Sequence, residues 1–482
     1  MRHTMVGPLK CTQYLTLGRL EITLLWEADM HTDHSLLSTV LRTYFRYAAV
    51  AVVTLALLLV GTAARADEGK SDKGAVRLLK TIPVPVSAAN NTAGALYSFD
   101  ISWDDQATQT YYLADRSNVV VDVINAQTAT FVKQLRATPD FRGFKPCGSG
   151  DGNPPSPGAN DCAGPNGVVH AEAPYPWLFV TDANSRVVTI NALTGATVAD
   201  VATKAGDPTR ADELAYDPED GLLLVINNVQ FPGHPPFATF VKVNKANGAL
   251  TVGPSITLTA ANGVDAQDGA EQPVWDPDTH RFYLSIPQIG PDVHVGGVVR
   301  INPTTAKVET TYPVKSCGPA GLARGPHHEL LVGCNKVFDT AGNVWDPAGA
   351  VTAAPKEVIL DIETGKTTDV PGVGAGDEVW FNKGDGNYYA TGSGSPLRPL
   401  PAATAKGSTP LGVIDAEDQT LIQLVPTYNV PAGPGHPAGS AHSVAANADN
   451  NFVFVPLGAN TAFPNCLTGC VAVFWHPGED EN

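Results

Sequence analysis

Acidic and amide side chains recur at one place in a repeating pattern, just ahead of a turn Asp or its equivalent. Five residues before the turn stand Asn166, Asp212, Glu271, Ala320, Asp377 and His442; four before stand Asp100, Gly167, Glu213, Gln272, Gly321, Glu378 and Ser443. Carboxylates drawn from several segments to one centre are what a hard divalent cation needs, because such ions take oxygen ligands. A histidine beside them adds acid–base chemistry. The reading takes Glu213, Glu271, Glu378, Asn166 and His170 as metal ligands, and His442, Asp377 and Asp212 as the groups that move protons. The expected cofactor is calcium, magnesium or zinc, with copper at His170 and His442 as the alternative. A competing reading has the same side chains bonded to neighbouring backbone around enclosed water. No HExxH, CxxCH, GxSxG or P-loop motif occurs.

The elements that must hold these residues are short strands. A closing phrase returns as Val123-Ile124-Asn125-Ala126, Thr189-Ile190-Asn191-Ala192, Lys242-Val243-Asn244-Lys245, Arg300-Ile301-Asn302-Pro303, Leu360-Asp361-Ile362-Glu363 and Val413-Ile414-Asp415-Ala416. Its Asn or Asp recurs at intervals of 66, 53, 58, 59 and 54 residues. Spacing of that size between short β segments predicts a propeller with one blade per repeat. Asp-Pro steps at Asp217-Pro218 and Asp276-Pro277 mark hairpin turns between strands. The expected fold is all-β: a seven-bladed β-propeller whose last repeat lacks an outer strand. The segment Val76 to Val84 fills that place and removes a free edge. Inner-strand side chains alternate in direction, so only one of the two polar rows faces the channel at a given height.

Composition sets the setting. Gly (46) and Pro (39) supply turns, and charged residues are only 16% of the chain. Residues Tyr47 to Val60 form an apolar run behind Arg42 and Arg46, followed by Ala64-Arg65-Ala66, as in an export signal cleaved after Ala66. The domain reading is a leader over 1–66, with Met30 as the true start, and one propeller over 67–482. Beyond Ala66 the chain holds 25 basic and 44 acidic residues, a net charge of −19. That balance excludes nucleic acid as a main partner. No stable membrane insertion is expected after cleavage, and the protein is read as a periplasmic or extracellular monomer acting on a small molecule. Six cysteines in an exported chain argue for disulfides, read as the local pairs Cys147–Cys162, Cys317–Cys334 and Cys466–Cys470.

The phrases Ile190-Asn191-Ala192-Leu193-Thr194-Gly195 and Leu360-Asp361-Ile362-Glu363-Thr364-Gly365 resemble the turn-closing phrase of YVTN-type exported seven-bladed propellers, over roughly residues 76–477. By position and residue type, the acidic strand starts are similar to those of gluconolactonase and virginiamycin B lyase propellers. That resemblance implies a central divalent cation with carboxylate and amide ligands. The function expected is metal-assisted hydrolysis or elimination on a small molecule such as a lactone. The alternatives are a non-catalytic binding propeller, using loops 139–165 and 392–409, and a copper oxidoreductase.

Overall fold

The structure is a computed structural model that describes residues 13–17, 20–24, 74–145, 162–228, 234–345, 353–374, 376–392 and 410–477. It divides into Met1–Asp72 and Lys73–Asn482. In the first unit, Gln13–Leu17 pairs antiparallel with Leu20–Leu24. All that follows concerns the second unit.

Among the described residues the chain repeatedly lays down up-and-down runs of strands. The first run is Ser102–Asp105, Thr110–Asp115, Val120–Asn125 and Thr130–Leu135, hydrogen-bonded in that order. Among the described residues, five sheets have four strands each. A sixth has eight, because the runs starting at Pro273–Asp276 and Cys317–Arg324 join through one parallel bridge, Val295 to Cys317. The only helical element among the described residues is a single turn, Ala260–Asn262. This all-β architecture of repeated antiparallel sheets is consistent with a β-propeller.

The repeating phrases have a structural cause. Asn191 Oδ1 accepts the backbone N–H groups of Leu193 and Thr194, both at 3.0 Å. Asn125, Asn302, Asp361 and Asp415 do the same for the residues two or three further on. Each side chain thus shapes the hairpin between third and fourth strands, which is why only Asn or Asp stands there. Burial follows strand position. Trp177–Asp182, a second strand, is buried throughout, whereas the outer strand Thr197–Ala202 alternates between half-buried and exposed.

The strand expected at Val76 to Val84 spans Arg77–Pro83 and pairs antiparallel with Cys470–Trp475, as the fourth strand beside Ala445–Asn447 and Phe452–Leu457. The first strands neighbour one another in the order Ser102–Asp105, Val168–His170, Leu214–Asp217, Pro273–Asp276, Cys317–Arg324, Gly376–Asn382 and Ala445–Asn447. Disulfides join Cys317 to Cys334 and Cys466 to Cys470. Cys162 is also disulfide-bonded, and Cys147 lies outside the described residues. The bonds fit an oxidising compartment. Among the described residues no helix is long and apolar enough to cross a membrane.

Candidate functional site

The two polar rows lie where the first strands begin. Backbone links carry them from repeat to repeat: Ile101 N to Asn166 O, Gly167 N to Asp212 O, Gln272 N to Ala320 O and Glu378 N to His442 O. These links correct the alignment at one point. Asp100 N bonds to Ala114 O, and Ala114 N to Ile101 O, just as Asp212 and Glu213 bracket Ile226. Asp100 therefore belongs with Asp212, and Ile101 with Glu213. The ambiguity came from the doublet Asp104-Asp105. Asp105 is the turn residue, with Oδ2 accepting from Thr108 N, while Asp104 Oδ2 takes the amide of Asn447.

The row containing Asp100 is clamped. Arg116, buried just after the second strand of its repeat, bonds Asp100 through its guanidinium and donates Nε–H to Asn166 Oδ1 at 2.9 Å. Arg210 lies 2.6 Å from Asp212. Asn228, in the place equivalent to Arg116, donates to Asp212 Oδ2 at 2.9 Å and to Glu271 Oε2 at 2.8 Å. Asn335 donates to Asp377 Oδ1 at 2.9 Å. Burial opposes ionisation of Asp100, yet Arg116 and His442 hold its carboxyl down at about 2. Burial lifts Asp212 to about 6 against the pull of Arg210.

The row containing Glu213 is different in kind. Gln272 Nε2 donates to Glu378 Oε2 at 3.2 Å, spanning the repeat between them. That span passes Gly321, where an added Cβ would stand 2.4 Å from Asp377 O. Glu213 is buried, and its Oε2 is enclosed with no hydrogen-bond partner. Burial, then the charges of Glu378, Asp212 and Glu271, push its carboxyl well above the usual range. Burial and neighbouring carboxylates raise Glu271 and Glu378 in the same way.

His442 stands beside this group. Its Nε2 is 3.5 Å from Asp100 Oδ1, its Nδ1 faces the Ser440 hydroxyl at 3.0 Å, and its ring stacks on Phe99. Burial disfavours the imidazolium, but Asp100 and Asp377 overcome that and raise its pKa.

The predicted residues therefore divide. Asp212, Glu213, Glu271, Asp377, Glu378 and His442 are brought together. Asn166 is committed to Arg116 and to Ala211 O, so it is a strut rather than a free ligand. His170 does not join them: it pairs with Asp105, 3.1 Å away, and stacks on Tyr112. Asp105 lies five extended residues beyond Asp100, about 16 Å along the chain, so His170 and His442 do not share a copper site. Among the described residues no three His, Cys, Asp or Glu side chains are gathered in a way that could hold a metal ion. The donor chemistry nevertheless suits a hard cation: desolvated carboxylates, one oxygen left without a donor. Sequence reading missed Arg116, Arg210, Asn228 and Asn335. Arg116 and Asn228 share a signal, the place just after the second strand of a repeat, whereas Asn335 lies within a second strand and Arg210 ahead of a first strand.

Comparison with known proteins bears on the fold. The solved structure of Kuenenia stuttgartiensis Hydrazine Synthase matches with a TM-score of 0.51 at 13% identity, over 81% of this chain and 97% of that one. At that identity the likeness speaks for a propeller-like fold alone. No family model matches the chain, and no curated protein does.

Proposed function

We propose that the unit beginning at Lys73 is an exported seven-bladed β-propeller of the YVTN type, with the eight-stranded sheet counted as two blades and Arg77–Pro83 as the latch. Its axial acidic pocket takes a hard divalent cation and acts on a small molecule such as a lactone, by hydrolysis or elimination. The observation that carries this reading is Glu213, whose enclosed, donorless oxygen lies among the carboxylates of Glu378, Asp212 and Glu271. Gathered buried carboxyls are costly to ionise, and a cation relieves that cost. Glu213, Glu271 and Glu378 would supply the oxygen ligands, drawing in from the wider spacing at which they stand here. A bound cation supplies polarisation of a carbonyl oxygen. The chain itself supplies the proton carrier: Asp100 and Ser440 fix the His442 imidazole, and Asp377 acts on it electrostatically. Arg116 and Arg210 keep Asp100 and Asp212 committed, which leaves the three glutamates as the carboxylates that would face a cation.

The test is elemental analysis of the purified exported protein, followed by a lactone and ester screen with Glu271→Gln and His442→Asn beside the wild type. One equivalent of calcium, magnesium or zinc, lost in Glu271→Gln, with turnover lost in both variants, supports the reading. Metal retained at full occupancy in Glu271→Gln refutes the ligand assignment. A metal-bound protein that turns over nothing leaves a cation-stabilised binding propeller.

A further inference from the structure

In five of the six repeats aligned on the closing phrase, the residue four before its Asn or Asp is apolar and buried: Val121, Val187, Phe240, Val298 and Leu411. In the remaining one it is Glu357, equally buried. A carboxyl in a slot that its counterparts fill with hydrocarbon is costly unless its oxygens are employed.

Both oxygens are employed. The ladder between the second strand, Glu329–Val337, and the third, Lys356–Asp361, ends at Val332 and Val358. Just beyond it the Glu357 carboxyl takes over. Its Oε2 accepts the N–H of Cys334 in the same repeat, and its Oε1 accepts the N–H of Gly376 in the next, at 3.1 Å. Each of these anchored residues leads into the acidic cluster. After Cys334 comes Asn335, whose Nδ2 donates to Asp377 Oδ1 at 2.9 Å. After Gly376 come Asp377 and Glu378, and the register slips between Gly376 and Glu378, so Asp377 is the extra residue of a bulge. Bulges re-aim side chains, and this one begins at the amide that Glu357 holds. The packing here leaves no slack. A Cβ on Gly333 would stand 2.7 Å from Gly376 O, and one on Gly376 would stand 2.5 Å from Glu357 Oε1. Cys334 is also fixed by its bond to Cys317.

We propose that Glu357 is a positioning residue for the acidic cluster: by tying Cys334 to Gly376 it sets Asn335 against Asp377 and directs Glu378 into the group. It acts through Asn335 and the bulge, not as a ligand. This role rests on the reading of the cluster as a cation site. Removing a group that orients metal ligands in this way costs about 10- to 100-fold in affinity.

The test titrates calcium by calorimetry into chelator-stripped exported protein carrying Glu357→Gln, Asn335→Ala or both. Each single change should weaken binding by about tenfold or more. The pair should do no worse than the stronger single, because both remove the same support. Gly376→Ala, whose added Cβ displaces the carboxyl from the other side, should match Glu357→Gln. Leu330→Ala, a core cavity earlier in the same second strand, lowers Tm by loss of packing and should leave calcium affinity unchanged. Fully additive losses, or an equal loss in Leu330→Ala, overturn the role. A second readout needs no cation. The Asn335 side-chain amide signals in a proton–nitrogen correlation spectrum, identified by their absence in Asn335→Ala, should move toward free-amide positions in Glu357→Gln. Signals that stay in place overturn the proposal. A wild type that binds no calcium while these signals move refutes the cation reading and supports Glu357 as the prop of the Asn335–Asp377 contact.

Discussion

Replacing Glu357 by Gln should change how stability depends on pH, by an amount the structure sets. Glu357 is fully buried, and its two oxygens accept the backbone N–H groups of Cys334 and Gly376. Burial lifts its carboxyl from 4.5 to about 8, the two amides only partly opposing. The folded protein therefore holds this proton where the unfolded chain has released it. Below pH 4.5 both states are protonated and the contribution is complete. Between 4.5 and 8 it declines as pH rises, and beyond 8 it changes no further. At ~1.4 kcal/mol per pH unit, the loss across that window is about 5 kcal/mol. With an unfolding entropy of ~2.1 cal/mol/K per residue over roughly 400 residues, this is a shift of about 6 °C in Tm. Gln accepts only one of the two amides, a cost of about 1–3 kcal/mol that is the same at every pH. Every other carboxyl cancels in the comparison. The assay is thermal unfolding of both proteins from pH 4.5 to 8.5. The variant should gain on the wild type by about 6 °C across that range. Parallel Tm curves would refute the claim that Glu357 is neutral in the fold.

Arg116→Met should cost about 3–5 kcal/mol, because it strands the buried Asp100 carboxylate. Adding Asp100→Asn should recover part of that loss in chemical denaturation. Full additivity of the two changes would contradict the clamp. Reducing Cys317–Cys334, which spans 17 residues, should lower stability by about 3 kcal/mol, read as a Tm difference with and without reductant. Removing the strand Arg77–Pro83 uncovers the edge of Cys470–Trp475, and light scattering should then show association. A shortened protein that stays monomeric would deny that strand its protective role.

Much of this architecture was legible in the chain because local chemistry forces it. The Asn and Asp of the closing phrases are the acceptors of the turns they mark, so their recurrence reported the strand repeat directly. The left-over strand was found for the same kind of reason: a last repeat with one strand too few, and one apolar β segment ahead of the first repeat. The site was legible in part. Periodicity located Asp212, Glu213, Glu271, Asp377, Glu378 and His442 at the strand starts, but not which row is clamped. That depends on Arg116, Asn228 and Asn335, which stand late in or just after second strands and reach the acids both within a repeat, as Arg116 does Asp100, and across repeats, as Asn228 does Glu271 and Asn335 does Asp377. His170 was misassigned because its residue type suits a metal, whereas its partner Asp105 comes from the neighbouring repeat. The segments 146–161 and 393–409, which cover most of two loops expected to bind ligand, lie outside the described residues.

The measurement that bears most directly on the account is calorimetric titration of calcium, and then magnesium, into chelator-stripped exported protein, with Glu213→Gln in parallel. The account predicts one equivalent bound by the wild type and none by the variant, with the variant still folded by circular dichroism. No binding by the wild type, or the same binding by both proteins, would contradict the claim that the acidic cluster around Glu213 is a cation site.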